Sequence, residues 1–151
     1  MSLVGLHRKY LSTEIDQEAA NGITNSRALV RILSAITLGG RTVSGHQLLS
    51  KEKVGLIFQE QFQGEDLVLH KALRWGIGFA LAGDGSLPDD AWLPSGRVCY
   101  WGGWGGSVAI MDLDRRVTLA FTMNKMADVA MANDTARECV KMVYDVLSTA
   151  I

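Results

Sequence analysis

The sequence predicts an α+β domain: an antiparallel sheet of about three strands, with helices before and after it. Three observations carry this prediction. Residues 26–38 set Ala28, Leu29, Ile32, Leu33 and Ile36 three and four apart, the helical period. From residue 74 onward the period falls to two, the period of a strand with one face against a core. Residues 134–148 then return to the helical spacing, with Ala136, Val140, Val143 and Leu147 as the inner face.

Composition bounds what such a domain does. The 151 residues amount to one domain, and a 48% apolar share is enough to bury a core. Fifteen basic and sixteen acidic residues, evenly spread, give a net charge of −1, so no basic face points to nucleic acid or an anionic membrane. His7, Arg8, Lys9, Glu14 and Asp16 interrupt the N-terminal region, which therefore lacks a signal-peptide core. No apolar run is long enough to span a membrane. Cys99 and Cys139 are too few for a disulfide framework and read as buried thiols of a cytoplasmic protein.

The elements follow in order. The first twenty residues are weakly patterned and read as a lead-in whose apolar start, Met1 to Leu6, covers part of the core. Asn21-Gly22-Ile23-Thr24-Asn25-Ser26 combines a turn with helix-capping chemistry, and Gly39-Gly40 ends the helix that follows. Ser50 caps a second helix, 51–59, with Val54, Ile57 and Phe58 inward. Residues 61–71 read as a loop. In Arg74-Trp75-Gly76-Ile77-Gly78-Phe79-Ala80-Leu81, bulky residues alternate with small ones, which predicts one strand with a bare face. Residues 83–96, with Pro88 and Pro94, form a long loop. Next comes Cys99-Tyr100-Trp101-Gly102-Gly103-Trp104-Gly105-Gly106-Ser107, a glycine-rich strand whose four glycines imply a bulge, a bend or a ligand lying against backbone. Asp112-Leu113-Asp114-Arg115-Arg116 makes a hairpin turn into a strand over 117–124. Three strands would leave two apolar edges open to pairing with another chain.

Several chemistries are excluded by spacing. His7, His46 and His70 have no second ligand at metal-binding distance along the chain, so no metal and no cofactor is expected. The glycine-rich stretch is not a phosphate-binding loop, because no Gly-Lys-Ser/Thr follows it. It is not a dinucleotide fingerprint, because Val108 stands where the third glycine would fall. Ala109 replaces the last glycine of a nucleophile elbow, so Ser107 reads as a strand residue. Ser50-Lys51-Glu52-Lys53 formally fits Ser-x-x-Lys, in which a lysine one turn on activates a serine. The N-cap role already accounts for Ser50.

In combination these features resemble the C-terminal portion of the serine β-lactamase and penicillin-binding-protein superfamily. Within it, the similarity is to the branch of class C β-lactamase-like esterases and fungal acyltransferases of the lovastatin type. The residues that carry it are Ala19-Ala20-Asn21-Gly22-Ile23-Thr24-Asn25-Ser26-Arg27-Ala28-Leu29, Leu48-Leu49-Ser50, Trp75-Gly76-Ile77-Gly78-Phe79, Tyr100 through Ser107, and Met123-Asn124-Lys125-Met126. They run from about residue 15 to 147 in the family's order. The resemblance implies a partial β-lactamase/transpeptidase-like fold. It also implies that Trp101-Gly102-Gly103 corresponds to the superfamily's third motif, on the strand beside the acyl pocket. The backbone N–H of Trp104 would then be an oxyanion-hole donor, with Trp101, Gly102 and Gly103 lining the substrate site.

The same resemblance exposes what is not matched. The Ser-x-x-Lys nucleophile and the tyrosine relay of the family lie N-terminal to every matched motif. Tyr10, Tyr100 and Tyr144 are followed two residues on by Ser12, Gly102 and Val146, so Tyr-x-Asn does not occur. Two readings follow. In the first, the chain is a fragment or subunit of a serine esterase or acyltransferase, inactive alone and acting on an acyl ester or thioester once a complementing chain or homo-oligomer completes it. In the second, it is a non-catalytic binding or interaction domain derived from that fold.

Overall fold

The computed structural model describes residues 23–82, 87 and 90–149. The predicted lead-in, the Asn21-Gly22 turn and parts of the 83–96 loop lie outside these residues. Among the described residues three helices, α1 (Ser26–Thr37), α2 (Lys51–Ile57) and α3 (Asp134–Thr149), surround a sheet of six strands. The strands are β1 (Phe62–Asp66), β2 (Lys71–Trp75), β3 (Ala80–Ala82), β4 (Val98–Gly103), β5 (Ser107–Asp112) and β6 (Val117–Phe121). They form an antiparallel meander in sequence order.

The α+β class and the flanking helices hold, but the sheet has six strands where about three are expected. Residues 61–71 are not a loop. They hold β1 and a turn in which the Asp66 carboxylate accepts from the Val68 and Leu69 N–H groups. Gly64, Glu65 and Asp66 are poor strand formers, and pairing with β2 overrides that preference. Nor is 74–81 one strand. The Gly76 N–H donates to the Phe79 carbonyl at 2.9 Å, Gly78 turns in the left-handed region at φ +80, and Trp75 pairs with Ala80. The alternating pattern therefore spans a hairpin, whose strands share the same period of two.

The helices start where their caps predict. Asn25 Oδ1 accepts from the Ala28 N–H and Ser50 Oγ from the Lys53 N–H. Asn133 Oδ1 accepts from the Ala136 N–H at the start of α3. Gly39 and Gly40, at φ +68 and +91, end α1. Alternation along β4 and β5 then divides the core into two layers. Val98, Tyr100, Val108 and Ile110 meet Ala136 and Val140 of α3 on one face. Cys99, Ala109 and Met111 meet Ile36 of α1 and Val54 and Ile57 of α2 on the other. Two residues expected to face inward do not: Ile32 is 65% exposed and Val143 37%. Each helix covers only a narrow stripe of sheet, so side chains on the flanks of that stripe reach water.

Candidate functional site: the turn end of the β4–β5 hairpin

Strand β4 pairs with β5 from Val98–Asp112 to Gly103–Ser107. The Leu113 N–H donates to the Arg97 carbonyl at 3.0 Å, which sets the phase of the ladder. Odd-numbered residues of β4 direct their backbone groups toward β5, and even-numbered ones toward β3. The last β3–β4 pair is Ala80–Tyr100. Beyond it the chain turns away at residues 76–79, so Gly102 faces a stretch of edge that β3 does not cover, and Trp104 follows in the turn closed by the Gly106 N–H to Gly103 carbonyl bond. Among the described residues no acceptor meets the Trp104 N–H.

Glycines in this stretch have different reasons. A Cβ on Gly102 would lie 2.8 Å from the Ser107 carbonyl oxygen and 2.9 Å from Met131 Cγ. One on Gly105 would meet Met123 and Met126, and one on Gly106 would meet Asn133, each within 3.0 Å. These three glycines let residues 122–133 strap across the hairpin tip. The strap is held by Gly105 N–H to Val129 O (2.9 Å), Ala127 N–H to Gly105 O (3.0 Å) and Met123 N–H to Ser107 Oγ (3.2 Å). Ser107 is thus a strand residue whose hydroxyl anchors the strap. Gly103 is the exception: it is exposed, and a Cβ there would meet nothing within 4 Å. Of the four, it is the one whose bareness opens onto free space.

Aromatic rings flank this opening. Trp101 is half-buried, and its ring centroid lies 4.8 Å from that of Trp75. Trp104 is 49% exposed, and Ile77, on the β2–β3 turn at the same end of the sheet, is 50% exposed. The structure therefore brings Trp101, Gly102, Gly103 and Trp104 together as one wall, with Trp75 behind it. The contribution of Trp75 was hidden in the sequence, because only the break at Gly76–Gly78 returns β3 and carries β4 back beside it. A run of small residues between two tryptophans was its only signal.

The other candidates are placed elsewhere. Ser50 is exposed and caps α2; the Glu52 carboxyl is held below its ordinary value, first by the Ser50 hydrogen bond and then by its own backbone N–H. Its neighbour Lys51 lies beside Arg97 and Leu113, at the far end of the hairpin. At 3.3–3.4 Å per residue, five steps along β4 separate the two ends by about 17 Å. Ser50 and the Trp104 N–H thus belong to different ends of the sheet. Tyr100 points to the α3 face and donates to Asp90 Oδ1 at 2.7 Å, with Trp92 edge-on at 6.1 Å. The Tyr144 hydroxyl is pushed up by burial and then by the Asp112 carboxylate. Tyr10 and His7 lie outside the described residues. Cys99 is fully buried, and desolvation pushes its thiol up to about 12, so it is inert as a nucleophile; Cys139 is half-buried. Among the described residues no cluster of His, Cys, Asp and Glu has metal-binding geometry, and no helix is long and apolar enough to cross a membrane.

Comparison with known proteins identifies the family of the chain. No curated protein matches the chain. Among solved structures, the chain is similar to a penicillin-binding-protein homologue from Caulobacter crescentus, at 28% identity and a TM-score of 0.72 over 81% of this chain. It shares its fold with a family VIII carboxylesterase, at 23% identity and a TM-score of 0.63 over 79% of this chain. It spans only 32% and 30% of those two proteins. The family model for beta-lactamase matches residues 5–140, a stretch that takes in every element from α1 to β6 and the start of α3. On that match the chain belongs to the beta-lactamase family.

Proposed function

We infer that this chain supplies the oxyanion-hole strand of an acyl pocket in a serine hydrolase of the esterase or acyltransferase kind, and that it is inactive alone. The observation that carries this reading is the Trp104 N–H, which has no acceptor among the described residues and sits beside the bare Gly103. A backbone donor fixed by a strapped hairpin is in place before charge develops on a carbonyl oxygen, so no reorganisation is required as the oxyanion forms. Gly103 admits the acyl carbon to the strand, and Trp101 and Trp104 give the acyl chain an apolar surface. The substrate class is an acyl ester or thioester. The nucleophile and its base come from a complementing chain, for which the uncharged β6 edge is the natural pairing strand.

The test is a titration of the 15N-labelled chain with p-nitrophenyl butyrate. The Trp104 and Gly103 amides should shift together, and Gly103→Val should abolish the shifts without loss of fold. Ester hydrolysis should stay at background and be unchanged by Ser50→Ala. Shifts confined to another part of the chain would overturn the site, and turnover lost in Ser50→Ala would overturn the inactivity.

A further inference from the structure

A cleft of about 440 Å³ lies at the end of the β4–β5 hairpin opposite the acyl wall. It is a broad, shallow hollow, and Lys51, Gly55, Arg97 and Arg116 on its rim are exposed. Its cations come from three separate places in the chain. Lys51 is the first residue of α2, Arg97 precedes β4, and Arg116 lies in the β5–β6 turn. No carboxylate lines the cleft among the described residues, although the whole chain carries a net charge of −1. Among the described residues neither Lys51 nor Arg116 forms an ion pair, although the neighbouring Glu52 carboxylate feels the Lys51 charge, whereas Arg97 is paired with Asp114 at 2.6 Å.

Residues at strained or helix-weakening backbone positions border the cleft. Arg116 sits at φ 57, in the left-handed region where Gly or Asn is easier. Gly55 lies inside α2, where glycine weakens a helix. A Cβ at Gly55 would meet nothing within 4 Å, so packing does not explain that glycine, whereas Gly39 at φ +68 is the residue that ends α1. Both line the cleft, together with the apolar side chain of Leu113.

We propose that this cleft is a binding site for a small organic dianion, such as a phosphomonoester, with its charge held by Lys51 and Arg116 and its apolar body against Leu113 and the glycine floor. Arg97, already neutralised by Asp114, frames the site. The ammonium of Lys51 acts as a point charge and the guanidinium of Arg116 as a planar fork, a pair suited to a tetrahedral anion. The site is independent of the acyl wall about 17 Å away along the strand.

Calorimetric titration with 1-naphthyl phosphate at low and high salt tests the proposal, with inorganic pyrophosphate as the charged probe without an apolar body. Saturable one-to-one binding is expected, tighter than that of pyrophosphate and weakened by salt. The double variant Lys51→Ala/Arg116→Ala should lose about tenfold or more in affinity, as expected when charge-assisted hydrogen bonds are removed. Gly55→Leu should fill the cleft and abolish binding while the melting temperature holds or rises, because leucine favours the helix. Affinity unchanged in either variant, or no saturation by about 1 mM, would overturn the site. Pyrophosphate binding as tightly as the naphthyl ester would overturn the apolar half of the ligand.

Discussion

Trp75 on β2 and Trp101 on β4 pack with ring centroids 4.8 Å apart and planes tilted at 45°, although β3 lies between their strands. The contact is made one residue beyond the last β3–β4 pair, Ala80–Tyr100, where the two rings close the end of the short strand. Trp101→Ala should therefore cost about 2 kcal/mol, roughly half the value for a fully buried tryptophan. The double variant with Trp75→Ala should be less than additive by about 0.5–1.5 kcal/mol, the worth of an aromatic pair. Urea unfolding of the two single variants and the double checks both figures.

Adjacent glycines on β4 should answer differently to the same substitution. Gly102→Ala drives a methyl to 2.8 Å from the Ser107 carbonyl and against Met131, so a loss of about 1–3 kcal/mol is expected. Gly103→Ala meets open space and should stay within about 0.5 kcal/mol of the parent. Equal melting-temperature losses for the two would show that Gly103 is also packed.

Asp112 is fully buried, and its charge is answered by Arg115, whose side chain is 36% exposed. The Arg115 backbone N–H also donates to Asp112 Oδ1 at 2.9 Å, and its guanidinium donates to the Ser95 carbonyl and lies over the Tyr144 ring. Arg115→Ala leaves a buried carboxylate with much of its compensation gone. The expected loss is about 2–3 kcal/mol, below the 3–5 of wholly buried pairs because water reaches the arginine. Chemical denaturation at neutral pH measures it.

Asp114 ties the β5–β6 turn to the start of β4. The Arg97 backbone N–H, then the Arg97 side chain, hold its carboxyl below the ordinary carboxylate range, with burial opposing weakly. A carboxyl lowered in the folded state adds stability above its unfolded pKa of about 3.9, and this is lost as pH falls through the folded value beneath it. Melting temperatures of the parent and Asp114→Asn should differ at pH 6 and converge as pH drops below about 4. A constant gap down to about pH 2.5 would count against the ion pair as the cause.

Much of the fold could be read from residue order. The helices at 26–37 and 51–57 carry the helical period and Asn or Ser at their caps, and both signals are local. The β5–β6 hairpin was visible in its polar turn between two apolar runs. By contrast, β1 could not be read, because Phe62–Asp66 is a strand by pairing with β2 and not by its own composition. The break between β2 and β3 was concealed by a hairpin that preserves the strand period across its turn.

At the candidate site, the sequence alone determined that glycine and tryptophan cluster over Trp101, Gly102, Gly103 and Trp104 at the end of one strand, because such clustering is a local property. Only the tertiary structure decided what each glycine is for. Gly102, Gly105 and Gly106 are small to let the 122–133 strap approach, and Gly103 is small with nothing against it. Only the structure, too, set Ser50 at the opposite end of the hairpin from the Trp104 N–H, and gathered Lys51, Arg97 and Arg116 around one cleft. Distances between residues far apart in the chain depend on how the sheet twists and its helices pack. No local pattern carries that information, because packing energy belongs to pairs of elements and not to any one stretch.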